Sequence, residues 1–401
     1  IDVLSASYND DTIAWYENDG SQVFTPQIII TSADGARCVY AIDVDGDGDI
    51  DVLSASRRDS KIVWYENNGN EVFTPHTIST TADHAHSVFA IDLDGDGDID
   101  VLSASEMDNK IAWYENDGSQ VFTEHTITTS ADSAVSVFAI DVDGDGDIDV
   151  LSASWLDDKV AWYEIDGLPS FQPWFSLQTI STTARFPNSV FAIDVDGDGD
   201  IDMLSATEGD DNIAWYENDG SQVFTPHTIT TTADGARWVY AIDVDGDGDI
   251  DVLSASAFDH KIAWYENDGS QVFTTHIITT AVDTAFFVYA IDVDGDGDID
   301  VLSASQSGDT IAWYENDGSQ VFTPHTITTT ADGARCVYAI DLDGDGDIDV
   351  LSASAHDEKI AWYENDGSQN NGSQVFTQHI ITTAAVGAYS VYAIDVDRDG
   401  D

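Results

Sequence analysis

Basic residues are scarce in this chain. Twelve Lys and Arg stand against 77 Asp and Glu over 401 residues, a formal net charge of −65. That balance excludes a nucleic-acid partner, because polyanions repel. Two cysteines are too few for a disulfide framework. No apolar run approaches the ~18 residues that a membrane-crossing helix needs, so direct membrane insertion is not expected. No helix-length segment shows helical periodicity either. Apolar material itself is plentiful, with 42% hydrophobic residues, 10% aromatic and 11 Trp. A core of that size excludes the disorder that such a surplus of like charge would otherwise suggest. Something other than disulfides must hold the acidic groups together.

The sequence repeats itself eight times. The word WYEN, with small changes, places tryptophans at Trp15, Trp64, Trp113, Trp162, Trp215, Trp264, Trp313 and Trp362. The period is 49 residues, except for 53 between Trp162 and Trp215, and the eight periods account for residues 1–401. The phase cuts an acidic motif in two: DVDRDGD ends the sequence and Ile1-Asp2 would complete it. A single ring sealed by joining of the N- and C-termini is expected, with a window from a longer array as the alternative. Each copy reads as four short strands. Around Trp113 they are 87–91, 101–105, 110–115 and 121–128, separated by polar turns. Four-stranded antiparallel units of this length are propeller blades, so the expected fold is an all-β, eight-bladed β-propeller. Small residues on the first two strands (Ala90, Ser103, Ala104, Ser105) and bulk on the third (Trp113, Tyr114) predict a wedge, narrow near the axis.

Between the first and second strands lies DVDGDGDID or DLDGDGDID. In the first copy Asp43, Asp45, Asp47, Asp49 and Asp51 occupy positions one, three, five, seven and nine. The same positions hold Asp92, Asp94, Asp96, Asp98 and Asp100; Asp141, Asp143, Asp145, Asp147 and Asp149; and Asp194, Asp196, Asp198, Asp200 and Asp202. They recur as Asp243, Asp245, Asp247, Asp249 and Asp251; Asp292, Asp294, Asp296, Asp298 and Asp300; and Asp341, Asp343, Asp345, Asp347 and Asp349. The split copy runs Asp395, Asp397, Asp399, Asp401 and Asp2, with Arg398 where the others carry glycine. Alternate carboxylates, a glycine at position six and an inward carbonyl at position seven supply the oxygen donors of a hard cation. Calcium suits them better than magnesium, which sheds its waters reluctantly. Up to eight Ca²⁺, one per blade, are expected, in a structural role.

These residues resemble the FG-GAP/VCBS repeat, the blade unit of integrin alpha-subunit propellers and of many secreted microbial proteins. The resemblance covers the whole chain. Its calcium pattern, D-x-D-x-D-G-x-x-D, is met by Asp43, Asp45, Asp47, Gly48 and Asp51 and by their equivalents in six further copies. WYEN and LSAS stand where integrin-like FG and GAP words would be, and eight copies depart from the seven blades of integrins. The resemblance implies an extracellular location, secreted or at the cell surface, and adhesion, glycan binding or polysaccharide processing.

The copies differ most after LSAS and just before the first strand. In an antiparallel blade both places fall on the face opposite the acidic loops, here called the top, which is the natural surface for a partner. Tyr8, Arg57, Arg58, Trp155, Phe258 and His356 belong to the first group. Arg37, His86, Arg237, Trp238, Phe286, Arg335 and Tyr389 belong to the second. Every Lys and Arg except Arg398 lies in or beside these top loops, so the molecule is electrically polarised and suited to self-association by stacking. The competing reading is that the bases merely balance turn acids such as Asp59 and Asp108. His76, His125, His227, His276, His325 and His379 recur at one fourth-strand position and read as structural. Cys38 and Cys336 are equivalent positions two blades apart, bridgeable only across a narrow channel. Asn371 heads an Asn-Gly-Ser glycosylation sequon in an insertion of the last copy.

Catalysis needs an asymmetric cluster of groups, and the largest break in the repeat, residues 165–180 with Pro169, Pro173 and Trp174, carries no acid–base pair. The expected function is therefore a non-catalytic adhesion or assembly module, with a protein or glycan of the cell surface or matrix as partner. A glycan-binding propeller is the alternative, and a polysaccharide lyase the second alternative.

Overall fold

Consecutive apolar residues such as Val52-Leu53 and Ile62-Val63-Trp64 cannot all face one core. They require strands covered on both sides. A computed structural model describes residues 1–20, 23–70, 72–165, 175–221, 223–370 and 373–397. In it, each copy forms a four-stranded antiparallel sheet, and the eight sheets stand as the blades of a propeller. Blades are numbered here by their tryptophans, from Trp15 in blade 1 to Trp362 in blade 8. Blade 2 is typical, with strands Ala36–Ile42, Asp51–Ser56, Lys61–Asn67 and Phe73–Ser79 running outward from the axis. Val39 pairs Ser54, Leu53 pairs Trp64, and Trp64 pairs His76.

Successive side chains then serve opposite neighbours. Val52 packs with Leu4, Ile13 and Trp15 of blade 1. Leu53, Ile62 and Trp64 pack with Val88, Val101 and Tyr114 of blade 3. Each of the eight third-strand tryptophans is buried and meets a phenylalanine of the next blade edge-on, as Trp64 meets Phe122 at 6.2 Å between ring centroids. The tyrosine beside it buries its hydroxyl against a second-strand serine, 3.1 Å for Tyr65 and Ser54. Such polar satisfaction within an apolar layer fixes the register. The ring closes as expected: Asp2–Ser7 pairs Ala388–Ile394, so blade 1 takes its inner strand from the last residues of the chain.

The predicted wedge needs one correction. Inner strands are not uniformly small, because Tyr40, Phe89, Phe138, Phe191, Tyr240, Tyr289, Tyr338 and Tyr392 all come from them. These rings form a collar around the axis, with neighbouring centroids 5.0 Å (Phe89–Phe138) to 6.3 Å (Tyr40–Tyr392) apart. Eight inner strands leave a channel too wide for alanine and serine to fill, and aromatic rings fill it. The collar is interrupted once: Phe138 and Phe191, in blades 4 and 5, are not in ring contact, and Phe138 is 37% exposed. No helix long and apolar enough to cross a membrane occurs among the described residues.

Truncating Trp113 to alanine should destabilise the ring by about 3–5 kcal/mol, the cost of emptying a buried aromatic site. Urea denaturation followed by tryptophan fluorescence measures it.

Candidate functional site

Two sets of residues are candidates, one at each end of the ring. The acidic loops form the lower end. Their turns depend on glycine backbone geometry: Gly46 and Gly48 have φ of 73° and 102°. A Cβ would meet nothing within 4 Å of Gly46, so conformation and not space requires glycine there. Carboxylates are tied to backbone N–H groups. Gly46 N–H donates to Asp43 Oδ1 at 2.8 Å and Gly48 N–H to Asp43 Oδ2 at 3.0 Å. The position-nine carboxylate is buried and accepts from Val44 N–H at 3.0 Å and Asn67 N–H at 2.7 Å.

This wiring brings carboxylate oxygens of Asp43, Asp45 and Asp51 within 4.8 Å of one another. Asp92, Asp94 and Asp96, Asp141, Asp143 and Asp149, Asp194, Asp196 and Asp202, and Asp2, Asp395 and Asp397 do the same. Position seven behaves differently. The Asp98 carboxylate turns away and occupies the space where a Cβ on Gly118 of the NDG turn would stand, 2.5 Å from Oδ2. Its equivalents Asp49, Asp200, Asp249, Asp298 and Asp347 do likewise, so position seven has only its carbonyl to offer inward. Asp399, Asp401 and Arg398 lie outside the described residues. Burial pushes Asp51 up to about 7, and the charge of Asp45 adds to the rise. Burial and the charge of Asp96 raise Asp94 to about 6. Carboxylates held this close favour a proton or a cation among them. The donor set, all oxygen and mostly anionic, fits a hard divalent ion.

The loops are also joined to the next blade, through a residue that sequence reasoning did not single out. In six blades the WYEN asparagine donates its side-chain amide to the position-two carbonyl of the preceding blade's loop. Asn218 reaches Val142 O at 3.1 Å and Asn365 reaches Val293 O at 3.2 Å. Blade 4 has Ile165 instead, which packs in one apolar cluster with Leu93. The signal was visible as the recurrence of Asn in seven of eight copies.

At the upper end, loops between second and third strands bond to loops before the inner strands. Arg57 N–H donates to Gly35 O at 3.0 Å, and Trp155 N–H to Ser133 O at 2.9 Å. Both variable groups thus share the face opposite the acidic loops, as the strand alternation predicts. Arg37 and its equivalents, however, belong to the inner strands and not to the loops before them. Each is the second residue of its strand and the extra residue of a β-bulge. In blade 2, Ala36 pairs Ser56 and Cys38 pairs Ala55, which leaves Arg37 outside the ladder. The same shift frees His86, Arg237, Phe286, Arg335 and Tyr389. A bulge re-aims the side chain it carries. Eight such residues converge on the axis and line a mouth of about 450 Å³, to which Trp238 and Gln306 also contribute. A contiguous lobe of about 210 Å³ adds Arg57, Glu106 and Trp155.

The remaining predicted top residues stand apart from the mouth. Tyr8 lies under the Arg58 guanidinium, 4.4 Å from its ring centroid. Phe258 is exposed over Gly235, and His356 pairs with Asp332 at 3.1 Å. The lysines bear out the bland reading: Lys61, Lys159, Lys261 and Lys359 sit 2.6–2.7 Å from the aspartate two residues before each. His76 stacks on Trp64 at 4.6 Å and bonds Glu66 at 2.6 Å, a pattern that recurs in the other copies and uses these histidines structurally. Cys38 and Cys336 are free thiols, and burial pushes Cys336 up to about 11. Asn371 and the proline-rich insertion at 166–174 lie outside the described residues.

The FG-GAP-like repeat is matched eight times, over residues 1–54, 43–103, 92–152, 141–205, 194–254, 243–303, 292–352 and 341–401. No curated protein sequence matches. Among solved structures the chain is similar to an Agrocybe aegerita lectin that recognises non-reducing terminal N-acetylglucosamine. That similarity is at 16% identity and a TM-score of 0.57 over 99% of this chain and 95% of the lectin. It is similar to the dihydro-heme d1 dehydrogenase NirN at 12% identity and a TM-score of 0.67, over 98% of this chain and 74% of that one. A putative 6-phosphogluconolactonase from Bacteroides fragilis shares 11% identity and a TM-score of 0.56, with 98% of both chains covered. At such identities the likeness is one of fold.

Replacing Asn218 with leucine should cost about 1–3 kcal/mol, because the Val142 carbonyl is left buried and unpaired. Chemical denaturation of the variant against the parent measures it.

Proposed function

Because the chain belongs to the FG-GAP-like repeat family over its whole length, we propose that it is an extracellular, calcium-stabilised propeller. It acts as a non-catalytic binding module in adhesion or assembly, and its top face is the contact surface. One observation carries this reading. The bulge residues, which differ from blade to blade in an otherwise near-identical repeat, converge on a concave mouth at the end of the ring opposite the acidic loops. Divergence at one place in a repetitive scaffold is what recognition of an irregular partner demands.

The acidic loops support calcium as the stabiliser. Cations bound among Asp43, Asp45, Asp47 and Asp51 and their equivalents would relieve repulsion between carboxylates that the backbone already holds together. Position-two carbonyls then stay in place for the asparagines of the next blade. The mouth itself supports binding more than chemistry. Its histidine, His86, lies beside Arg37 and Arg57, and desolvation together with these charges holds it well below the ordinary range. A neutral histidine among arginines, with no carboxylate hydrogen-bonded to it among the described residues, is poorly placed as a general base. A glycan is the second candidate partner, favoured by Trp238, Phe286 and Tyr389 at the mouth.

Thorough chelation should lower the melting temperature by about 10 °C or more, and added calcium should restore it. Unchanged melting would remove calcium from this account. Substituting Phe286 and Tyr389 by alanine should abolish capture of the cell-surface or matrix partner while leaving melting within a few degrees. New ultraviolet absorbance on incubation with an acidic polysaccharide would instead establish a lyase.

A further inference from the structure

The molecule has 65 more acidic than basic groups, yet among the described residues Arg335 at the mouth has no carboxylate partner and Arg37 bonds none, Glu106 acting on Arg37 without a hydrogen bond to it. Arg335 has no hydrogen bond or ion pair among the described residues. Its guanidinium lies 4.9 Å from the Tyr389 ring centroid and 5.9 Å from that of Phe286. Arg37 donates only to the Tyr389 hydroxyl, at 2.8 Å, and stands 4.5 Å from the same ring. Tyr389 is thus flanked by guanidinium groups from the blades on either side of its own. The Nε atoms of Arg37, Arg237 and Arg335 are all buried and lack a hydrogen-bond partner. Arg237 differs in having Glu208 at 3.0 Å, and Arg57, in the adjoining lobe, has Glu106 at 2.6 Å.

Stacking on an aromatic ring occupies the face of a guanidinium and leaves its in-plane N–H donors free. Those donors match the oxygens of a carboxylate or sulfate. Desolvated cations without counter-charge are costly, and this chain has aspartates and glutamates in abundance to neutralise them. That neither Arg37 nor Arg335 bonds one is explained if an anion arrives from outside. The rest of the mouth describes the body of that ligand. Phe286 and Trp238 offer apolar faces, and Asn188 and Gln306 offer amides. A volume of about 450 Å³ suits one or two sugar units.

We infer that the mouth binds an acidic sugar, a carboxylate or sulfate carried on a sugar-sized ring. Arg37 and Arg335 hold the oxyanion, and Phe286 and Trp238 pack against the ring. This rests on the reading of the mouth as the recognition surface. It adds the class of ligand and its sign of charge. An acidic ligand is not what the negative whole-molecule charge would suggest, and the top-face arginines are what make it admissible.

The test is calorimetric titration of the calcium-loaded chain with sodium glucuronate and with N-acetylglucosamine 6-sulfate, against glucose and N-acetylglucosamine. The two acidic sugars should bind and the neutral ones should bind at least about tenfold more weakly, the worth of a charged hydrogen bond. Arg335→Gln should weaken acidic-sugar binding by about tenfold or more, while Lys159→Gln, a base paired at the outer rim, should not. Ligand-free melting of each variant checks that it folds, and Arg335→Lys, which keeps charge but loses the planar fork, should fall between parent and Arg335→Gln. Equal binding of neutral sugars, lost in Phe286→Ala, would overturn the acidic class and leave the mouth as the recognition surface. Capture of a Glu-rich peptide but of no sugar would also overturn the inference. If neither sugars nor the surface partner respond to any mouth variant, the reading of the mouth falls with it.

Discussion

The position-nine carboxylate of each acidic loop ties the start of the loop to the end of the third strand through two backbone N–H groups, and the order of the ring hangs on that contact. In blade 2 it is Asp51, which holds the start of its own loop at Val44 and the end of the third strand at Asn67. The same carboxylate faces Asp43 and Asp45 across the cluster. Loop, sheet and acidic cluster therefore share one side chain. Because the Asn218 type of amide then grips the preceding blade's loop, geometry set by that carboxylate passes from blade to blade. Blade 4 shows the alternative solution, in which Ile165 against Leu93 replaces the polar bridge with apolar contact.

The two ends of the ring divide the work of the chain. At the lower end the copies are nearly identical, because every blade solves the same problem of gathering like charge around a hairpin. At the upper end they diverge: the bulge position around the mouth carries Arg in blades 2, 6 and 8 and five other residue types in the remaining blades. Lysines stay at the outer rim, neutralised by their own turn aspartates. Arg37 and Arg335 come to the axis, where stacking on Tyr389 and Phe286 keeps them partly out of water, with Arg37 donating to the Tyr389 hydroxyl and Arg335 to no described residue. Both kinds of base lie on the top face, and only the geometry of their attachment separates them.

Much of this was legible in the sequence. The tryptophan period gave the number of blades, and the spacing of Asp43, Asp45, Asp47 and Asp51 gave the acidic cage. The split motif at Asp395 and Asp2 gave the closure later seen in the pairing of Leu4 with Tyr392. Other features escaped for physical reasons. The aromatic collar was hidden because Tyr40 and its equivalents follow a valine and precede an alanine, and alternation alone does not say which face meets the channel. The bulge at Arg37 depends on which inner-strand residue pairs with Ala55, and register is a property of two strands together. The vacant donors of Arg335 depend on distances between blades 7, 8 and 1, which lie far apart in the sequence.

The bulge also separates two demands that most protein surfaces make of the same residue. Arg37, His86 and Tyr389 contribute no ladder pairing, so their identity is nearly free of the cost of holding the sheet together. Exchange of any one of them changes the lining of the mouth while the neighbouring strands keep their partners. A ring built this way is a ready frame for variation, natural or designed, with one independently assignable letter per blade written around a common centre.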